Sequence, residues 1–406
     1  MATELYLDTA RFGRMRLRAQ EAESDFARLS GAEGASVAIE ELLRSGIEAC
    51  PESMSRRYPG LKHWPGVDGL KRSVRGLLGK HQESDVLLAG RSGTLMRLAA
   101  RALFSRCRRV FHTDLEWPAY AAILREEGRR VGGQVWSAVI EERIRTDRLG
   151  WEEVTDLIAE EYRRRGCDGL FLSAVSFRGV RFPIEGLLKA LGTPDAPKFL
   201  VLDGAQALGH MPCDSRGCDI LLGGAHKWLR SGRPLGLAYV CSARARQGIE
   251  AATSEKGYPT DLGDPLYSLV GQLEGERMEP LGETADLSGL FSAAAALSAD
   301  SCEPGNTASR FEERMANAVA LAEATERTSW RPAMPGPRLR SGILMLRNRT
   351  ARVEEAPADR VREAFHRRGV ALSAYQDGLI RLSMPQTHWL DDDLDHLRTA
   401  LKKVSV

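Results

Sequence analysis

Short apolar runs, several of them followed by a longer stretch of helical periodicity, constrain this chain more than any other feature. Seven such runs fall at 85–90, 109–112, 131–140, 169–175, 198–202, 219–222 and 235–241. Helical spacing of apolar residues follows at 94–104, 118–127 and 184–191. Short, continuously apolar runs read as strands buried on both faces, and strands that alternate with helices build βαβ units. An α/β fold is predicted, with a mostly parallel sheet sandwiched between helices.

The pattern changes near 290–306, where Ser301-Cys302-Glu303-Pro304-Gly305-Asn306 interrupts a helical run. Strand-like 342–347, helix-like 358–368, strand-like 379–383 and helix-like 390–402 then predict a smaller α+β domain. The expected division is a segment at 1–20 near the active site, a large domain at 21–290 and a small domain at 291–406. A chain of 406 residues accommodates two such units.

Charge and cysteine usage narrow the functional classes. The net charge is +2, which gives no reason to expect nucleic acid or an anionic membrane as partner. No apolar run of about 18 residues occurs, so no transmembrane helix is expected. The first residues lack the basic segment and apolar core of a signal peptide. Seven dispersed cysteines without a CxxC pair imply reduced thiols and a cytoplasmic setting.

Two residues carry the chemistry. Asp203 closes the apolar run 198–202, and Lys227 follows the next run, behind Gly223 and Gly224. Open α/β sheets bind ligands at the carboxyl ends of their strands, where both residues are expected. Alone, Asp203 fits a helix cap and Lys227 a solvated loop. Together they fit pyridoxal 5′-phosphate (PLP): a lysine amine to form the Schiff base, and an acid to keep the pyridine nitrogen protonated. Gln206 is placed to donate near the ring hydroxyl. No metal site is expected.

The sequence Asp203-Gly204-Ala205-Gln206-Ala207-Leu208-Gly209, followed by Asp219 and His226-Lys227, resembles the class V aminotransferase group of fold-type-I PLP enzymes. That group includes cysteine desulfurases, kynureninase-like enzymes and a carbon–sulfur lyase. The resemblance implies PLP on Lys227, with Asp203, Gln206 and His226 around it. Tyr6-Leu7-Asp8-Thr9-Ala10 is similar to the group's opening segment. Ser92, Gly93 and Thr94 stand at its phosphate loop, where a helix N-terminus favours an anion. Ser176 matches a polar residue near the ring hydroxyl, though a serine capping a turn fits equally. Thr284 matches a threonine that reaches a neighbouring subunit's cofactor phosphate, which implies a homodimer. Trp117 is the candidate to stack on the ring, with His112 as rival. Arg381, in Ile380-Arg381-Leu382-Ser383, matches the arginine that grips a substrate α-carboxylate, a task its planar fork suits.

Two departures matter. Gly224 stands where the group often carries a serine or threonine for the phosphate. No cysteine lies between Ala371 and Arg381, where desulfurases carry their persulfide cysteine, so a desulfurase is not expected. An amino-acid aminotransferase is the leading expectation. A β-eliminating C–S lyase or a decarboxylating enzyme stays open, as does a non-catalytic PLP-binding module.

Overall fold

The computed structural model describes residues 5–34, 39–78, 84–254, 262–275, 284–303 and 305–404. Its strands are β1 (Leu5–Tyr6), β2 (Asp85–Ala89), β3 (Arg109–Thr113), β4 (Gln134–Ala138), β5 (Gly169–Ser173), β6 (Phe199–Asp203), β7 (Ile220–Gly224) and β8 (Gly236–Val240). A later group comprises β9 (Trp330–Pro332), β10 (Ile343–Asn348), β11 (Val370–Ala371), β12 (Ser373–Ala374) and β13 (Leu379–Ser383).

The central sheet has seven strands in the order β2-β8-β7-β6-β5-β3-β4. Neighbours are parallel from β7 to β4, and β8 runs antiparallel to both β2 and β7. Strands β5 to β8 are buried along their whole length because helices cover both faces. Alternate residues divide between two cores: Leu200 and Leu202 join one, and Phe199 and Val201 join the other. One expected strand shrinks. In the run 131–140 only Gln134–Ala138 is strand, because the helix Pro118–Arg130 ends in a turn at Gly132 and Gly133.

A second sheet, β12-β13-β10-β9, is antiparallel throughout. Leu344, Leu346, Ile380 and Leu382 line its core against helices Ala358–His366 and Asp391–Lys403. Helix Ser288–Cys302 precedes Thr307–Ala324, whose start Asn306 caps by accepting from the Ser309 amide at 2.9 Å.

The N-terminal segment ties the two sheets together. β1 pairs in parallel with β11, and the Ala10 amide donates to Ser383 Oγ at 2.8 Å. The Gly13 amide donates to the His226 carbonyl at 2.8 Å. A Cβ at Gly13 would lie 2.0 Å from the Lys227 carbonyl oxygen, so only glycine lets the segment approach the lysine turn this closely.

Candidate active site

Asp203 ends β6, and Lys227 lies three residues beyond β7, the parallel neighbour of β6. Both open into one cavity of ≈ 600 Å³ between the central sheet edge and the second sheet. Asp203 is buried, and its Oδ1 accepts the Ala205 amide at 2.8 Å. Burial raises its pKa, against the pull of the Lys227 charge. Burial equally depresses Lys227, from 10.5 to about 8; Asp203 opposes this shift and Arg381 reinforces it. The low-dielectric setting therefore drives both partners towards their neutral forms. An amine near 8 keeps a substantial nucleophilic fraction at neutral pH.

His226 shares the cavity, and its Nδ1 is buried with no hydrogen-bond partner among the described residues. Burial and then the Lys227 charge lower it to about 4, so the imidazole is neutral. Gly224 lies beside it: a Cβ there would come within 3.2 Å of the imidazole Cε1. A serine or threonine at 224 would crowd that ring.

The helix Ser92–Phe104 begins at the cavity. Arg91, its cap residue, makes no side-chain capping bond, so the first-turn amides are not taken up by its side chain. Of the three expected loop residues, Ser92 lines the cavity; Gly93 and Thr94 do not. Thr94 instead donates its hydroxyl to Asp264 at 3.3 Å. Each helical residue turns about 100°, so Thr94 lies far round the helix from Ser92.

Gln206 lines the cavity, yet its amide is committed at both ends. Nε2 donates to the Ala10 carbonyl at 2.7 Å, and Oε1 accepts from Trp228 Nε1 at 2.8 Å. One Nε2 hydrogen remains for the cavity. Ser176 lies off the cavity, where its hydroxyl accepts the Val180 amide at 3.1 Å and caps a turn. Asp219 sits at the opposite end of β7, fully buried, with Oδ2 accepting the Leu200 amide at 2.8 Å.

Trp117 lines the cavity and is 47% exposed, which a core tryptophan would not be. It meets Phe177 edge-on at 5.5 Å. His112 is buried off the cavity, with Nδ1 at 2.8 Å from the Thr113 carbonyl. Thr284 is exposed and does not line this cavity; Gly282 and Glu283 beside it lie outside the described residues.

Arg381 is buried on β13. Its Nη1 donates to the Phe177 carbonyl at 3.0 Å and Nη2 to Ser373 Oγ at 3.1 Å, with Asp8 at 3.6 Å. Its buried Nε has no partner among the described residues.

Several residues at the site were not expected from sequence. Tyr120 lines the cavity one helical turn from Trp117, and that i, i+3 spacing was its only signal. Phe177, Asp359 and Arg362 also line it. Behind Asp203 lies Glu116, which accepts from Thr113 Oγ1 at 2.9 Å and from the Ser173 hydroxyl. Burial raises it to about 8, with the Asp203 charge acting in the same direction, so it is largely protonated at neutral pH. No group of three or more potential metal ligands occurs among the described residues, and no helix among them is long and apolar enough to cross a membrane.

No family model matches the chain, and no curated protein matches it. Solved structures do. The chain is similar to the cystine C–S lyase C-DES, at 15% identity and a TM-score of 0.72, covering 100% of this chain and 99% of that one. It is similar to the cysteine desulfurase CsdA from Escherichia coli, at 15% identity and a TM-score of 0.70, covering 98% and 93%. It is also similar to alanine–glyoxylate aminotransferase from Nostoc sp., at 15% identity and a TM-score of 0.68, covering 99% and 95%. The fold is therefore that of the fold-type-I PLP enzymes.

The cavity residues fit that cofactor on their own chemistry. An amine, a buried carboxylate, a helix start without a side-chain cap and an unpartnered imidazole nitrogen converge on one space.

Proposed function

We propose that this chain is a PLP-dependent enzyme acting on an α-amino acid, with the cofactor held on Lys227. One observation carries the reading: a buried amine, depressed to about 8, shares a cavity with a buried carboxylate at adjacent strand ends. When bound, the cofactor supplies an electron sink for a bond broken at the substrate Cα.

The chain's own residues divide the remaining work. Asp203 would hold a proton on the ring nitrogen. Ser92 and the first-turn amides would take the phosphate, with His226 beside them. Trp117 would cover the ring and keep water from one face. Lys227 would hold the cofactor and, once released, move the proton at Cα. Arg381 would receive the α-carboxylate on its fork. A homodimer would bring Thr284 to a partner's cofactor phosphate, and sedimentation of the purified protein tests that arrangement.

Within this class we assign transamination. C–S cleavage with β-elimination is the second reading, favoured by the likeness to C-DES over the whole chain. Borohydride treatment followed by peptide mapping tests the class; the expected label is on Lys227, and label on another lysine overturns it. Amino donors should then convert the bound cofactor to its amine form. Release of a β-substituent without that conversion selects elimination. A bound cofactor that responds to no amino acid selects a binding module.

A further inference from the structure

The substrate-facing wall holds more positive charge than one α-carboxylate needs. Arg381 has its own matched anion site, but Arg11 and Arg362 line the same cavity. Neither has a side-chain partner among the described residues, whereas Arg178 nearby is paired with Glu141 at 3.1 Å. Arg11 comes from the N-terminal segment and lies close enough to act on both Asp8 and Tyr375. Arg362 comes from helix Ala358–His366, which packs against β12 and so borders Tyr375. Tyr375 itself lies under two guanidinium groups, Arg178 at 5.5 Å and Arg381 at 5.8 Å from its ring centre.

Among the described residues, Asp359 is the one carboxylate lining this wall, and Asp203 belongs with Lys227. Asp8 stands behind Arg381, bonded to Ser373 at 2.5 Å. With an α-carboxylate on Arg381, Arg11 and Arg362 would still line the cavity without a hydrogen-bonded or ion-paired side chain among the described residues. Two exposed arginines that line one concave cavity favour a further anion there.

We propose that the substrate is an α-amino acid with a second anionic group at the far end of its side chain, received by Arg11 and Arg362. This rests on the α-amino-acid reading above and names its substrate class. Calorimetric titration with L-glutamate, L-glutamine, L-aspartate and L-asparagine tests it. The acidic member of each pair should bind roughly 10- to 100-fold more tightly than its amide, the range for a charge-assisted contact. In Arg11→Gln/Arg362→Gln that ratio should collapse to about one. The single variants Arg11→Gln and Arg362→Gln, each narrowing the ratio, serve if the double variant melts early. Equal binding of acid and amide by the unaltered protein overturns the proposal, as does an unchanged ratio in the folded variants. Calorimetry reads the preference for the anion directly. Failure of borohydride to fix a cofactor on Lys227 would strike the enzyme reading alone.

Discussion

The two walls of the cavity are prepared in opposite ways. On the central-sheet wall, key groups are poised by burial and left without close partners: the Lys227 amine is depressed and His226 Nδ1 is unpaired. On the second-sheet wall, Arg381 is already engaged by Phe177, Ser373 and Asp8. The first wall resembles a socket awaiting a permanent occupant, whose arrival satisfies what burial left open. On the proposed reading the second would exchange partners each time a substrate enters, and its resting contacts keep a buried guanidinium from standing unpaired.

Lys227→Ala should disturb the central-sheet wall most. Turnover should fall by roughly 10²–10⁴-fold, the range for a lost acid–base group, and borohydride should fix no cofactor. Chemical rescue by an added small amine, read as regained turnover, would show that the wall needs an amine and not a lysine stem.

Arg381→Ala should act more mildly and on the other wall. Substrate capture should weaken by on the order of 10- to 100-fold while the cofactor spectrum is kept. Arg381→Lys should restore part of the loss, because an ammonium cannot reproduce the fork. Loss of the cofactor spectrum in both variants would show that the two walls do not act separately.

The smallest effect is on stability and comes from two groups on the first wall with opposite slopes. Glu116 is raised to about 8 from 4.5, so between those values the folded chain holds a proton that the unfolded chain has lost. Its contribution is full below 4.5 and disappears as pH rises to about 8. Lys227 is depressed from 10.5 to about 8, so between those values the unfolded chain binds the extra proton and stability rises with pH. Melting curves of the cofactor-free protein should show Glu116→Gln losing the fall between 4.5 and 8. Lys227→Met should lose the rise above 8. Unchanged slopes would mean that neither group is desolvated.

The sequence made the first wall legible and much of the second obscure. Asp203 and Lys227 could be placed because apolar strand runs end just before them, and parallel neighbours share a carboxyl edge. Thr94 and Ser176 went astray for local reasons: helical rotation carried one towards Asp264, and turn geometry claimed the other. Arg362 and Asp359 left no readable signal, because helix Ala358–His366 faces the cavity only through its packing on β12. The same holds for the engagement of Arg381 by Asp8, a contact spanning most of the chain.

The docking of the N-terminal segment has a consequence for how the protein is made. Residues 5–13 bond to β11, to Ser383 and to the lysine turn, so this segment finds its full set of partners only after residue 383 has emerged. Contacts this distant in sequence form late and slowly. During synthesis the central sheet can assemble around Asp203 and Lys227 while the roof over them is still missing. A chain stalled before its second sheet holds Asp203 and Lys227 but not the finished chamber.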